Sequence, residues 1–289
     1  MSILLALLAA LFASFTAILA KIGIEKVDSN LATAVRTVVV LLMAFIMVVI
    51  TGQTGHLFSV STTPLIFLIL SGLTTGLSWI FFFKAIQIGD VSKVVPIDKA
   101  SVVLTILLSF VVLKEPATFF VVSGGIIISI GTFVLIGKGK QKEKNDKAFS
   151  TKSYIFLAIL SALFAALTNI LAKIGIEDVD SNIATFIRTI VILLFAWGIV
   201  LFQGTYKEVK QISRKSFLFL FLSGSATGLS WLCYFGALSL GKVSIVNPID
   251  KFSVVITMLL SFIILKEKPT KSTIYGAILI TVGTALLII

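Results

Sequence analysis

The sequence predicts an all-α integral membrane protein with ten transmembrane helices in two inverted five-helix repeats. Three observations carry that expectation. The 289 residues are 58% hydrophobic and only 13% charged, with a mean hydropathy of +1.13, far outside the composition of a water-soluble globular domain. Apolar runs of about 20 residues, the length that crosses ~30 Å of hydrocarbon at about 1.5 Å per residue, recur along the whole chain. The second half repeats the first at a constant spacing of 152 residues, so that Arg36 corresponds to Arg188 and Asp98 to Asp250.

The first apolar run covers residues 3–20. It lacks the basic leader segment of a secretory signal, and its counterpart at 154–172 lies inside the chain, so both read as mature helices. Runs two to five cover 31–51, 65–88, 91–113 and 117–137; in the second half they cover 183–203, 217–240, 243–265 and 269–289. Residues 138–152, KGKQKEKNDKAFSTK, are polar and basic and read as a linker between a repeat at 1–137 and a repeat at 153–289. The matching is dense. LAKIGIEKVDSN at 19–30 meets LAKIGIEDVDSN at 171–182, and SGLTTGLSW at 71–79 meets SGSATGLSW at 223–231. PIDKASVVLTILLSFVVLKE at 96–115 meets PIDKFSVVITMLLSFIILKE at 248–267. About half of the ~137 aligned positions are identical under the fixed spacing, which reads as duplication and fusion.

Five spans per copy is an odd number, so the copies are expected to enter the membrane in opposite directions. The positive-inside rule then requires corresponding loops to differ in Lys and Arg. They do: the stretch after span seven carries Lys207, Lys210, Arg214 and Lys215, whereas residues 52–64 have neither residue type. Lys26 becomes Asp178, Lys93 becomes Ile245 and Pro116 becomes Lys268, with Asp90 to Lys242 running the other way. Placing both termini outside puts about 16 Lys and Arg in cytoplasmic loops and about 3 outside, so N-out and C-out is expected. The net charge of +11 is thereby assigned to the cytoplasmic face and its anionic lipids, and no nucleic-acid partner is required.

Charges within hydrocarbon are costly, which singles out Arg36 and Arg188, Asp98 and Asp250, and Lys99 and Lys251, present in both copies. Arg36 lies about 9 Å along a helix beyond Asn30, and Asp98 a similar distance beyond Asp90. Arg36 is therefore expected to meet Asp98 at one depth, and Arg188 to meet Asp250 near the opposite face. The charges then form two layers, each an ion-pair gate of a central cavity or a receiver of an anionic group; plain neutralisation that fixes helix register is the alternative. Between the layers, Thr75, Ser78, Trp79 and Ser101 face Thr227, Ser230, Trp231, Tyr234 and Ser253, with Thr16, Thr168 and Asn169. These suit a small, partly apolar solute, although Ser and Thr in membrane helices also bond back to their own helix or pack helices closely. Pro96 and Pro248 remove a backbone hydrogen bond and are expected to break spans four and nine, making 91–101 and 243–253 the moving elements. The pairs Gly72 with Gly76 and Gly224 with Gly228 read as close helix packing.

One Cys and one His cannot build a disulfide framework or a zinc cluster. There is no GxxxxGK[ST] phosphate loop, no GxSxG elbow and no HExxH helix, and no TVGYG-type filter. An enzyme, an ATP-driven pump and a channel are thus disfavoured, and no cofactor or metal is expected.

The ten spans, the repeat, and the segments GDVSKVVPIDKASVV at 89–103 and GKVSIVNPIDKFSVV at 241–255 resemble the EamA family of the drug/metabolite transporter superfamily. The resemblance covers all but the linker, each half resembling one complete EamA unit. It implies a secondary carrier of a bacterial-type inner (plasma) membrane, commonly an exporter of amino acids or other small metabolites by alternating access. Better-studied ten-span relatives have both termini in the cytoplasm, opposite to the charge count here. The small multidrug branch uses a membrane-buried Glu in its first span; residues 3–20 and 154–172 contain no carboxylate, which speaks against that mechanism. The expected partners are a small-molecule substrate, membrane lipids and a coupling proton, for which Asp98, Asp250, Glu25 and Glu177 are the placed carboxylates; the oligomeric state is left open. An accessory or structural membrane protein and a lipid-linked sugar flippase component are the competing readings.

Overall fold

In a computed structural model, described here for residues 1–57, 59–136, 151–267 and 270–286, the elements are helices throughout. The first half supplies α1 (Ser2–Gly23), α2 (Ser29–Ile50), α3 (Thr62–Ile88), α4 (Val91–Lys99), α5 (Ser101–Val112) and α6 (Phe119–Ile136). The second supplies α7 (Thr151–Gly175), α8 (Ser181–Gln203), α9 (Arg214–Leu240), α10 (Val243–Asp250), α11 (Ser253–Ile264) and α12 (Lys271–Leu286). Most of the expected linker, residues 138–150, lies outside the described residues, and α7 begins two residues earlier than the expected second repeat.

Seven helices are long and apolar enough to cross a membrane: α1, α2, α3, Ser153–Gly175, α8, α9 and the α10–α11 pair Val243–Ile264. The expectation was ten. Three further apolar helices, α5, Phe119–Gly131 and α12, fall short of that length. The reason at α5 is an interruption after α4, where bonds to the third residue back, Ala100 N to Ile97 O and Val103 N to Ala100 O, replace the α pattern. The same tightening follows α10, with Lys251 N bonded to Pro248 O and Phe252 N to Ile249 O. Both interruptions fall about one turn after the prolines: α10 runs through Pro248, and the backbone of Pro96 lies within α4. The side chains of Pro96 and Lys99 lie outside the described residues.

Lipid gives apolar side chains no reason to hide, so the helices are packed by small residues. Helix α1 shows the pattern: Ala6, Ala9, Ala10, Ser14, Ala17, Ala20 and Gly23 are buried, while Leu4, Leu7, Leu8, Leu11 and Phe15 point outward. The most extensive helix contacts are α3 with α7, α1 with α9, α6 with α12, and α2 with α8, every one joining the two halves. Exchanging the halves reproduces the set. Glycine allows these approaches: a Cβ on Gly224 would lie 2.9 Å from Arg36 O and from Val39 Cβ on α2, and one on Gly72 would lie 2.8 Å from Val191 Cβ on α8. The glycine pairs of α3 and α9 thus pack against the opposite half, as their spacing suggests.

Three repeated motifs are helix caps. Asp28 Oδ1 accepts from Asn30 N and Leu31 N to start α2, and Asp180 Oδ1 accepts from Asn182 N and Ile183 N to start α8. Lys21 Nζ donates to Ile86 O and Gly89 O at the end of α3, and Lys173 Nζ to Leu238 O and Gly241 O at the end of α9, where helix carbonyls are otherwise orphaned. The third cap crosses between halves. Glu115 carries its carboxylate to Val243 N and Ser244 N, the start of α10, and Glu267 reaches Val91 N, the start of α4. Lys114 and Lys266, just before these glutamates, hold positive φ values of 53° and 54°.

Replacing Gly224 by Ala is expected to destabilise the protein by about 1–3 kcal/mol through overpacking of α9 on α2. A thermal melt of the detergent-solubilised protein checks this against Gly198→Ala, whose Cβ meets nothing within 4 Å and which is expected to melt no lower than the parent.

Candidate functional site

A cavity of about 160 Å³ lies where α1, α2, α3 and α4 of one half meet α7, α8, α9 and α10 of the other. Trp79 and Trp231, at corresponding positions of α3 and α9, both line it, with ring centroids 4.8 Å apart. Each tryptophan stands edge-on to the phenylalanine one turn along its helix, Trp79 to Phe83 at 6.0 Å and Trp231 to Phe235 at 5.8 Å. An arginine lies over each outer ring: Arg36 is 4.0 Å from the Phe83 centroid, and Arg188 is 4.1 Å from that of Phe235. The sequence places these groups because α2 and α8 each carry one arginine on their buried face, beside Ala32 and Thr33 or Ala184 and Thr185.

Both guanidinium groups are fully buried. Arg36 Nη2 donates to Thr227 Oγ1 at 2.8 Å; Arg188 Nε donates to Ser71 Oγ and Nη2 to Thr75 Oγ1, both at 2.9 Å. Each partner belongs to the opposite half. The expected Arg36–Asp98 and Arg188–Asp250 ion pairs are therefore corrected, since among the described residues neither arginine pairs with an aspartate. Asp98 instead accepts from Ser161 of the other half, and Asp250 lies 3.7 Å from Lys251. Position along a helix gives depth but not direction: α2 turns its arginine toward α9, not toward α4.

The hydrogen-bond inventory of the arginines is incomplete. Arg36 Nε and Nη1 and Arg188 Nη1 are buried without a partner. A buried unpaired donor costs roughly 1–3 kcal/mol, more when charged, and a desolvated cation–π contact returns about 2 kcal/mol. The aromatic rings thus offset only part of the deficit, and a ligand acceptor would remove the rest. Arg36, Arg188 and Lys251 line the cavity together with Asp98 and Asp250, so the described side chains give it a surplus of cations over carboxylates. Among the described residues, no three His, Cys, Asp or Glu side chains converge to hold a metal ion.

The predicted site residues come together. Arg36, Trp79, Asp98, Ser101, Arg188, Trp231, Tyr234, Asp250, Lys251 and Ser253 all line this one cavity. Both sets of charges thus border one shared chamber, with each half's arginine bonded to hydroxyls of the other half. Pro248 is buried inside α10 and serves its backbone, and the side chain of Lys99 lies outside the described residues. Ser101 Oγ and Ser253 Oγ are buried without a partner at the cavity wall. Phe83, Phe235, Ser161 and Asn247 escape a reading that looks for charge. A comparison of the halves finds the last two, since Ser161 replaces Ala9 and Asn247 replaces Val95 within otherwise apolar segments.

Comparison with known proteins agrees with this architecture. An uncharacterized transporter in the cobO 3'region of Sinorhizobium sp is 43% identical over 137 residues, spanning 47% of this chain and 97% of that protein. The uncharacterized transporter YxxF of Bacillus subtilis (strain 168) is 24% identical over 213 residues, 73% of this chain and 66% of that protein. A crystal structure aligns over 99% of this chain and 95% of its own with a TM-score of 0.76 and 17% identity, a likeness of fold alone. The EamA-like transporter family matches residues 1–137 and again 152–289. A multi-pass helical protein whose two halves both carry that match belongs to the EamA-like transporter family of the drug/metabolite transporter superfamily.

Proposed function

We propose that the protein is a secondary-active carrier, an exporter of a small metabolite such as an amino acid, working by alternating access between two inverted repeats at 1–137 and 153–289. Ten helical segments cross the bacterial-type inner membrane in this reading, α4 with α5 and α10 with α11 each forming one interrupted span. The observation that carries it is the cavity at the seam of the halves, with buried guanidinium N–H groups left unpaired at its wall. Arg36 and Arg188 receive an anionic group of the solute, while Trp79 and Trp231 form an aromatic floor that tolerates apolar parts. Asp98, Asp250 and Lys251 are placed to respond to the solute or to a coupling proton.

Access alternates when the helices that start at Val91 and Val243 tilt in turn. Their N-termini are held by carboxylates of the opposite half, Glu267 and Glu115, so the contacts that must loosen on one side have counterparts on the other. Ion-pair gating by Arg36–Asp98 is not part of this mechanism; the arginines face the solute.

Flux of labelled amino acids and other small anions into proteoliposomes under an imposed pH gradient tests the function. Movement of at least one solute class is expected, and failure of every class to move favours an accessory protein. Arg188→Met is expected to lower that flux at least ~100-fold while leaving the thermal melting point unchanged or higher, because it removes a buried, incompletely satisfied charge. A fall in melting point together with flux would identify the arginine as structural. For orientation, a reporter active only in the cytoplasm and fused after Ile289 is expected to stay silent, and one active only outside to give signal.

A further inference from the structure

The cavity is lined by two copies of one sequence, yet its sides differ in chemistry. Asn169, Tyr234 and Asn247 line it from the second half; the corresponding residues of the first half are Ala17, Phe82 and Val95, and all six border the same space. The three polar side chains form a directed chain. Asn247 Nδ2 donates to the Tyr234 hydroxyl at 2.8 Å, that hydroxyl donates to Asn169 Oδ1 at 3.1 Å, and Asn169 Nδ2 donates to Thr105 Oγ1 at 3.3 Å. Aligned donors of this kind polarise one another and lock the direction of each amide. The chain leaves one acceptor over: Asn247 Oδ1 has no partner, on a side chain only 1% exposed.

An orphaned carbonyl in a dry wall accepts from any N–H or O–H that enters beside it. The arginines make the complementary demand, since their unpaired N–H groups call for an acceptor that carries negative charge. We propose that Asn169, Tyr234 and Asn247 are the specificity-determining face of the cavity. They fix the orientation of a small solute that carries one anionic group, received by the arginines, and one neutral N–H or O–H donor, received by Asn247 Oδ1. The proposal rests on the carrier reading above and deepens it. In the reversed pose the donor meets Ala17, Phe82 and Val95 and finds no acceptor, which separates the two poses by about tenfold in affinity.

Each residue can be exchanged for the one the fold already holds at the corresponding place: Asn247→Val, Tyr234→Phe and Asn169→Ala. Binding is read as quenching of tryptophan fluorescence in the full-length detergent-solubilised protein, because Trp79 and Trp231 border the cavity. The probes are lactate against propionate and 3-hydroxybutyrate against butyrate, each pair sharing its carboxylate and differing by one hydroxyl. The parent protein is expected to bind the hydroxylated member about tenfold more tightly. Asn247→Val is expected to abolish that preference by weakening the hydroxylated member, with the other member unchanged within about twofold. Tyr234→Phe, which keeps Asn247 in place but loosens its orientation, is expected to reduce the preference and serves if Asn247→Val does not fold. Equal binding of the paired probes to the parent, no quenching by any of the four, or a preference retained by both variants overturns the proposal. Uptake of labelled lactate into vesicles is followed in parallel. Selective binding together with failure of every solute class to move overturns the carrier reading and leaves this one standing, whereas flux without selectivity does the reverse.

Discussion

A guanidinium group cut off from water has to be held by whatever the protein brings to it, and that requirement shapes the centre of this molecule. Arg36 and Arg188 carry charge at full burial, and each is met by an aromatic face from above and by hydroxyls from the side. None of those hydroxyls belongs to the half that carries the arginine. The need to satisfy the charge therefore sets how the halves are oriented on one another, with Trp79 against Trp231 at the seam. Removing either half would strand a cation in a low-dielectric interior, at a cost of several kcal/mol.

The packing around that centre follows the same division of labour. Alanine, serine, threonine and glycine make many of the contacts between halves, joined by buried large side chains such as Leu68 against Gly175 and Leu220 against Gly23. Small residues allow backbone carbonyls to come close enough to accept from side chains of the opposite half, as Ser71 Oγ does toward Thr168 O and Ser230 Oγ toward Ala9 O. Hydroxyls that would bond back to their own helix in isolation thus become inter-half contacts.

Much of this is legible in the sequence, for identifiable reasons. Helix positions follow from runs of apolar residues, and the correspondence of the halves follows from a constant spacing; both are properties of long stretches. The caps escape a reading that looks for charge, although Asp28 and Asp180 stand in the same VDSN stretch of each half, just before the first helical residue. What the sequence conceals is direction around a helix axis. Arg36 and Asp98 share a depth by counting, but α2 points its arginine at Thr227, and one residue of rotation turns a side chain by about 100°. The interruption after α4 is announced by Pro96 but not located by it, since the tightened turn that ends the helix at Lys99 lies about one turn beyond. Asn247 is hidden by the repeat itself, since identical positions draw attention and the replaced ones carry the asymmetry.

The presence of two similar halves in one chain has a consequence for how such a cavity can change. In an assembly of two separate identical chains, every substitution appears twice, once on each side of the seam, and a cavity on the axis keeps equal walls. A single chain holding both copies is free of that constraint. Ser161 faces Asp98 while Ala9 stands in the matching place, and Tyr234 carries a hydroxyl that Phe82 lacks. Heredity acts on each wall separately, so the chamber can acquire a handed, two-ended character that no pair of identical copies can offer.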